Sequence, residues 1–342
     1  MEPSFRRPRA AIIGAGISGL CLAQALIERG LDVVIFEKSR GPGGRMSTRR
    51  AAESRYSFDH GAQFFTARTH AFVQQVERWQ VAGVVAPWQG RFASLATGQL
   101  AVEPTRHPRY VGVPRMSALT RHLSAGLCIQ VGTRIAALER AGDGWHLRCT
   151  AGAEFGPFSV VISTAPGPQT APLLAPHSPT LAARADAAEM LPCFCLMLAF
   201  SSPLSAPFDA ARLDAPPLSW IARNTSKPGR AEAECWVLHA DARWSQEHLE
   251  DDQDVVKQQL LEAFAALTGA GAPDFSSLHR WRYARAGGPF DKPEPILWDP
   301  QLGLGACGDW LAGERVEEAW RSAMAMSHAV LSWPRLADTL RT

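Results

Sequence analysis

Lysine is scarce in this sequence: Lys38, Lys227, Lys257 and Lys292 stand among 35 basic residues, and all the others are arginine. Codon bias is the simplest reason, although arginine forks also suit phosphates. Tyrosine is scarcer still, at Tyr56, Tyr110 and Tyr283. The seven cysteines, at 21, 128, 149, 193, 195, 235 and 307, form no C-x-x-C pair and no spaced Cys/His set. That excludes a zinc module, and no metal site is expected; free thiols in a reducing cytoplasm are. A surplus of one charge is missing as well. With 35 basic against 33 acidic side chains the net charge is +2, too weak a field to draw nucleic acid or an anionic membrane. No apolar run reaches the roughly 18 residues of a membrane helix, and no hydrophobic tail closes the sequence. Arg6 and Arg7 could pass for a twin-arginine export signal, but Pro8 follows and the next apolar stretch is broken by glycines. The expectation is a soluble cytoplasmic protein with no internal repeat and no sign of an obligate protein partner.

What is present begins with size. A chain of 342 residues, 46% hydrophobic and 20% charged, can bury more than one sizeable core. Residues 10 to 13 (Ala-Ala-Ile-Ile) predict a short apolar strand that runs into Gly14-Ala15-Gly16-Ile17-Ser18-Gly19 and then into a helix ended by Gly30. Residues 31 to 37 predict a second, fully buried strand with Glu37 at its tip. In such a β-α-β unit Gly14 makes the tight turn, Gly16 admits a pyrophosphate, and Gly19 lets the helix pack on the strands. The helix start, Ile17 and Ser18 included, supplies free amides, and the Glu37 carboxylate can accept from a ribose diol. Taken alone, these glycines fit an NAD dehydrogenase as well as a flavoprotein.

A second glycine-rich loop follows: Lys38-Ser39-Arg40-Gly41-Pro42-Gly43-Gly44-Arg45-Met46. With it the sequence resembles the glutathione-reductase-type FAD proteins and, among them, the amine oxidase-like branch. The resemblance implies noncovalent FAD, with Lys38, Gly44, Arg45 and Met46 near the diphosphate and flavin. It extends to Asp59-His60-Gly61-Ala62-Gln63, whose last four residues it brings to the flavin ring. It extends also to Gly308-Asp309, followed by a helix predicted over 316 to 330 whose first residues, Val316 and Glu317, reach the flavin pyrimidine. The helix dipole would there stabilise reduced flavin. Gly303-Leu304-Gly305-Ala306-Cys307-Gly308 matches G-x-G-x-x-G literally, yet no acidic-tipped strand follows it, so no second dinucleotide unit is expected. Cys307 reads as a small buried residue rather than a flavin attachment point.

The expected fold class is α/β: a Rossmann-like FAD-binding domain assembled from residues 1–66, 111–167 and 286–342, plus an α+β substrate domain with a mixed sheet from 67–110 and 168–285. A three-strand meander is predicted at 129–140, 145–150 and 158–164. The second domain should hold strands at 193–200, 218–223 and 234–239 and an amphipathic helix at 247–267.

Across nearly its whole length the chain is most similar to the renalases, through Gly43-Gly44-Arg45-Met46-Ser47-Thr48, Gly61-Ala62-Gln63-Phe64, Val237-Leu238-His239, Trp281-Arg282-Tyr283 and Ala306-Cys307-Gly308-Asp309. That resemblance implies oxidation of 1,2- and 1,6-dihydronicotinamide isomers of NAD(P)H by FAD, with O2 as electron acceptor and H2O2 as product. Its pocket candidates are Gln63, Phe64, Asn224, His239, Trp281 and Tyr283, with Arg223, Arg282 and Arg285 as possible phosphate contacts. An amine oxidase or desaturase shares every flavin motif. Against it stand the lack of lysine between 39 and 226 and of the paired tyrosines of an amine cage. A non-catalytic protein on the same fold is the third reading, opposed by the intact Gly43-Gly44-Arg45 and Gly308-Asp309 motifs.

Overall fold

The computed structural model describes residues 8–51, 55–96, 99–103, 106–288, 290 and 293–336; Arg6, Arg7, Lys292 and the residues from 337 onward lie outside them. The apolar runs at 10–13 and 33–36 form adjacent parallel strands, Arg9–Ile13 and Asp32–Phe36, with Ala10 opposite Val33 and Ile13 opposite Phe36. Val160–Ser163 pairs in parallel on the other side of Arg9–Ile13, and Leu304–Cys307 extends the sheet in parallel beyond it. Ile296–Asp299 adds an antiparallel edge, and Cys128–Gln130 completes the opposite edge beside Asp32–Phe36. The central strands are buried on both faces. Ala11, Ile13, Val34 and Phe36 pack with Trp145, Leu147 and Phe158, while Ala10, Ile12, Val33 and Ile35 are buried on the reverse side. Two-sided burial removes any reason for polar alternation, which is why these strands read as unbroken apolar runs.

Two local expectations change. The predicted meander is instead built from Ile135–Ala141, Gly144–Cys149 and Glu154–Phe158. Residues 129–130 and 160–163, read as its outer parts, have joined the parallel sheet: Val160, Val161 and Ile162 complete its core, while Cys128–Gln130 forms its half-exposed edge. Gly167–Leu174 and Pro179–Asp186 are helices whose Ala171, Leu174, Leu181, Ala182 and Ala185 enter the same apolar cluster. Residues 168–190 therefore go with the dinucleotide-type sheet and not with the predicted substrate domain. The compact units divide accordingly: one comprises the chain up to Gly44, Thr120–Met190 and the chain from Ala286, the other Arg45–Leu119 and Leu191–Arg285.

The second unit is built on a seven-stranded mixed sheet in the order Phe275–Ala286, Met190–Phe200, Glu234–Ala240, Leu218–Arg223, Ala210–Ala215, Phe92–Ala96 and Gln99–Val102. Ala210–Ala215 and Phe92–Ala96 run in parallel. Here alternation is visible. Phe194, Leu196, Leu198, Trp236 and Leu238 point onto the helix Gln253–Thr268 through Val256, Leu260 and Phe264. Cys195, Met197, Ala199, Cys235 and Val237 point the other way and pack on Tyr56 and Phe58. That contact draws 45–66 into this unit, where the sequence expectation had assigned it to the flavin domain; 111–119 moves with it, tied through Met116.

The amphipathic helix predicted at 247–267 is two helices, Ala242–Glu247 and Gln253–Thr268. Asp252 ends the gap as an N-cap, its carboxylate accepting from the amides of Asp254 and Val255 at 2.8 and 3.3 Å. Glu250, left outside the helix, pairs with Arg280 and Arg282. The C-terminal helix spans Val316–Leu331, with Ala319, Ala323 and Met326 buried as expected and Met324 only partly so. No helix among the described residues is long and apolar enough to cross a membrane.

Candidate functional site

In the first unit the glycine turn precedes the helix Ile17–Ile27, whose N-cap, Gly16, brings no side-chain cap. The helix amides are thus left for an external acceptor. A Cβ on Gly16 would meet nothing within 4 Å, whereas one on Gly19 would lie 2.0 Å from the Gly14 carbonyl oxygen. Gly16 leaves room for a ligand, and Gly19 leaves room for the chain itself. Glu37 is buried with one carboxylate oxygen accepting from the Ala15 amide at 2.8 Å and the other from the Ser39 amide at 2.7 Å. Both bonds orient the carboxylate, and each oxygen keeps a lone pair for a diol. The Gly43 amide donates to the Ala15 carbonyl at 2.9 Å, laying the second glycine loop, with Gly44, against the first. These features fit a dinucleotide.

Other residues assigned to the cofactor have further commitments. Ile17 is buried, and the Ser18 hydroxyl donates to the Ala319 carbonyl at 3.0 Å, clamping the two long helices of this unit together. Lys38 donates to the Gln169 side chain at 3.1 Å. Gly308 donates its amide to the Ser322 hydroxyl at 2.8 Å, and Asp309 is buried beside it. Cys307 is fully buried in the strand Leu304–Cys307, and burial pushes its thiol well above the usual range. The helix Val316–Leu331 carries two buried carboxylates, Glu317 and Glu318, in its first turn, and Glu318 is paired with Arg315. The positive end of that helix is already answered from within the protein, so its dipole is a weaker anion site than the sequence suggested.

In the second unit the segment 59–63 is held by a buried charged cluster. Asp59 uses all four acceptor positions: Oδ1 takes the Thr48 hydroxyl at 2.8 Å and the Met116 amide at 3.0 Å, while Oδ2 takes Arg230 and, at 3.5 Å, Lys227. Lys227 is completely buried and also donates to Gln63 Oε1 and Asn224 Oδ1, both at 3.1 Å. Burial works to raise the Asp59 carboxyl, but Lys227 and Arg230 hold it down at about 2. Burial pushes the Lys227 ammonium down to about 8 against the pull of Asp59.

This cluster corrects two pocket assignments. The Gln63 amide is turned inward, donating to the Asp59 and Gly61 carbonyls and accepting from Lys227. Asn224 is buried and donates to the Ser57 carbonyl at 2.9 Å while accepting from Lys227 and the Asp59 amide. Both amides are satisfied by the protein, because the alternative is to leave a buried ammonium without acceptors. It also qualifies the lysine argument: none occurs from 39 to 226, but the next residue is a buried lysine in the same cluster.

The clamped segment presents His60. Its backbone carbonyl accepts from Trp281 Nε1 at 3.0 Å and from the His239 ring at 3.3 Å. Its ring stacks on Trp281 at 5.1 Å and meets His279 edge-on at 5.0 Å, and its Nδ1 is buried with no partner among the described residues. Burial, then the neighbouring His279 and Arg49, push the His60 imidazole down to about 3; burial takes His239 to about 4 and lowers His279 as well. All three rings are neutral near pH 7. Gly61 is forced: a Cβ there would lie 2.0 Å from the Arg45 carbonyl oxygen. Beside it Ala62 donates its amide to that same carbonyl, and Met46 is buried. Arg45 itself donates to the Ala284 carbonyl at 3.2 Å.

Of the remaining candidates, Phe64 is partly exposed with its ring 5.5 Å from Trp220 and 6.4 Å from Trp88. Tyr283 is partly buried two residues along the strand from Trp281. Arg282 is not free for phosphate, since it forks onto Glu250 at 2.6 and 3.0 Å. Arg223 is committed to the Leu204 carbonyl at 2.7 Å and to Glu234. Sequence reasoning missed Lys227, Arg230 and Trp220. Lys227 had one visible signal, a lysine kept where the chain otherwise uses arginine.

Comparisons with known proteins agree with this architecture. The profile of the NAD(P)-binding Rossmann-like domain matches residues 12–76, and that of the flavin-containing amine oxidoreductases matches residues 90–331, more than half of the chain. Hydroxyneurosporene desaturase of Rubrivivax gelatinosus is 35% identical over 101 residues, 26% of this chain and 19% of that protein. The zeta-carotene-forming phytoene desaturase of Myxococcus xanthus is 47% identical over 45 residues, 13% of this chain and 9% of its own. The chain thus spans less than a fifth of either curated relative. Among solved structures, a protein from Exiguobacterium sp. 255-15 described as a protoporphyrinogen oxidase superposes with TM-score 0.77 at 14% identity, covering 95% of this chain and 99% of its own. Cyclohexylamine oxidase from Brevibacterium oxydans IH-35A gives 0.73 at 12% identity, with the same coverage. At such identities the likeness establishes the fold, a Rossmann-like domain with a mixed-sheet partner, and the profile match adds the flavin. With that match over most of its length, the chain belongs to the flavin-containing amine oxidoreductase family.

Proposed function

We propose that this protein is an FAD-dependent oxidase of renalase type, which takes hydride from the 1,2- and 1,6-dihydronicotinamide isomers of NAD(P)H to give NAD(P)+ and passes the electrons to O2 to give H2O2. FAD, bound noncovalently, supplies the hydride acceptor and the reaction with oxygen. The observation that carries the reading is the character of the face around His60: neutral rings from His60, His239, His279 and Trp281, with no buried carboxylate of this unit left unpaired. Among the described residues of this unit the buried carboxylates are Asp59 and Glu234, and both are paired, Asp59 by two cations and Glu234 by Arg223 and the Trp236 ring N–H. An ammonium substrate would meet no unpaired buried carboxylate there, whereas a dihydropyridine is neutral and flat. Loss of hydride from it leaves an aromatic pyridinium with no proton to remove, so positioning is the chief demand on the protein.

Anaerobic mixing with each dihydronicotinamide isomer, ordinary NADH and a panel of amines tests this. Rapid bleaching of the visible flavin band by the isomers alone is the expected result. Bleaching by amines with the isomers inert overturns it in favour of the amine oxidase activities of the wider family.

Glu37 is assigned to the adenosine ribose. Glu37→Ala is expected to weaken FAD binding by about 1.5–3 kcal/mol, the worth of a hydrogen bond to a charged group, as read by flavin fluorescence on dilution. Unchanged flavin retention would contradict the role.

A further inference from the structure

The second unit holds a tryptophan that its own fold leaves unfinished. Trp220 lies on the strand Leu218–Arg223 directly opposite His239 on Glu234–Ala240, and His239 in turn lies opposite Cys195 on Met190–Phe200. Paired residues in neighbouring antiparallel strands share a face of the sheet. Cys195, His239 and Trp220 therefore form one row across three strands, on the face opposite the helix Gln253–Thr268. The Phe64 ring packs at 5.5 Å from Trp220, at a tilt of 48°. Trp220 is 7% exposed, and its ring N–H has no hydrogen-bond partner among the described residues.

Neighbouring indoles set the contrast. Trp88 donates to the Ser226 hydroxyl at 3.1 Å, Trp281 to the His60 carbonyl at 3.0 Å and Trp236 to Glu234 at 2.8 Å. Trp145 and Trp310 find backbone carbonyls at 2.9 and 3.1 Å. A buried indole normally finds an acceptor, because an unmet N–H forfeits the bond it had with water. Trp220 lacks one among the described residues, and its ring stands in the row with His239 and against Phe64, both assigned to the substrate face.

We propose that Trp220 is a specificity-determining residue whose ring N–H receives the carboxamide carbonyl of the nicotinamide ring. The inference rests on the renalase-type reading and deepens it. A donor that is buried and uncharged selects a ligand with a neutral acceptor on a flat ring. A protonated alkylamine offers none and would leave the N–H unmet, a mode of rejection stronger than that of a merely apolar wall.

Calorimetric titration of the flavin-loaded protein tests it with two probes: NAD+, the product that retains the carboxamide, and a dinucleotide whose pyridinium ring carries a methyl group in its place. The wild type is expected to bind NAD+ about tenfold tighter than the methyl analogue. Trp220→Phe, which keeps a ring and removes the N–H, is expected to lose that tenfold for NAD+ and to bind the analogue as the wild type does. The unchanged analogue affinity also reports an intact fold. A variant that binds NAD+ unchanged, or weakens both probes alike, overturns the role of Trp220 while leaving the renalase-type reading in place. A wild type that binds neither dinucleotide overturns both.

Discussion

Lys227→Met is expected to destabilise the protein by about 3–5 kcal/mol, the usual cost of removing one partner from a buried charged pair. Methionine fills similar volume, so the loss is electrostatic. Gln63 Oε1 and Asn224 Oδ1 each lose a donor at 3.1 Å, and Asp59 keeps Arg230 alone as its cation. Urea denaturation followed by tryptophan fluorescence reads the loss as a lower midpoint at unchanged slope. A midpoint within error of the wild type would mean that the cluster contributes nothing to the fold. The effect should not stop at stability. Gln63 and Asp59 bracket His60 and Gly61, so loosening their side chains frees the segment that places the His60 carbonyl against Trp281 and His239.

The second large effect is acid sensitivity above the carboxylate range. His60 has an ordinary value near 6.5 when unfolded and about 3 when folded. Below the folded value both states are protonated and the burial penalty is complete; above about 6.5 both are neutral and the penalty is absent. Stability is therefore full above pH 6.5 and is lost as pH falls through 3, by up to about 1.4 kcal/mol per pH unit and about 5 kcal/mol in all. Asp59 draws slightly the other way, while Arg49, His239 and His279 act in the same direction as burial. His60→Phe keeps a flat ring against Trp281 and removes the titration. The difference between wild-type and variant unfolding free energies, measured from pH 7 to pH 4, should slope with pH. Parallel profiles would show that His60 titrates normally in the folded protein.

Much of this could be read along the chain because the signals are local. The turn at Gly14, Gly16 and Gly19 follows from backbone sterics within a few residues, and Glu37 follows from strand length. Both appear where the spacing placed them, as do the strand Leu218–Arg223 and the helix Val316–Leu331. What failed was sheet membership. Residues 160–163 have the pattern of any buried strand and Cys128–Gln130 that of a short edge strand, and only the partner available to each decides whether it joins a meander or a parallel sheet. The helix predicted through 247–252 failed for a local reason that pattern reading overlooked: Asp252 caps better than it continues.

The dinucleotide fingerprint and the order of the flavin motifs were thus already present in the one-dimensional pattern, since a few neighbouring residues make each of them. The proposed substrate face was not. Asp59 sits far along the chain from Lys227 and Arg230, and the three meet only because the sheet face carrying Cys195 and Val237 takes Tyr56 and Phe58 as its cover. That contact turns Gln63 and Asn224 from expected pocket walls into ligands of a buried ammonium, and among the described residues the Trp220 N–H has no acceptor. Hydrogen-bond satisfaction is a property of the packed molecule, because it depends on which groups lose water together.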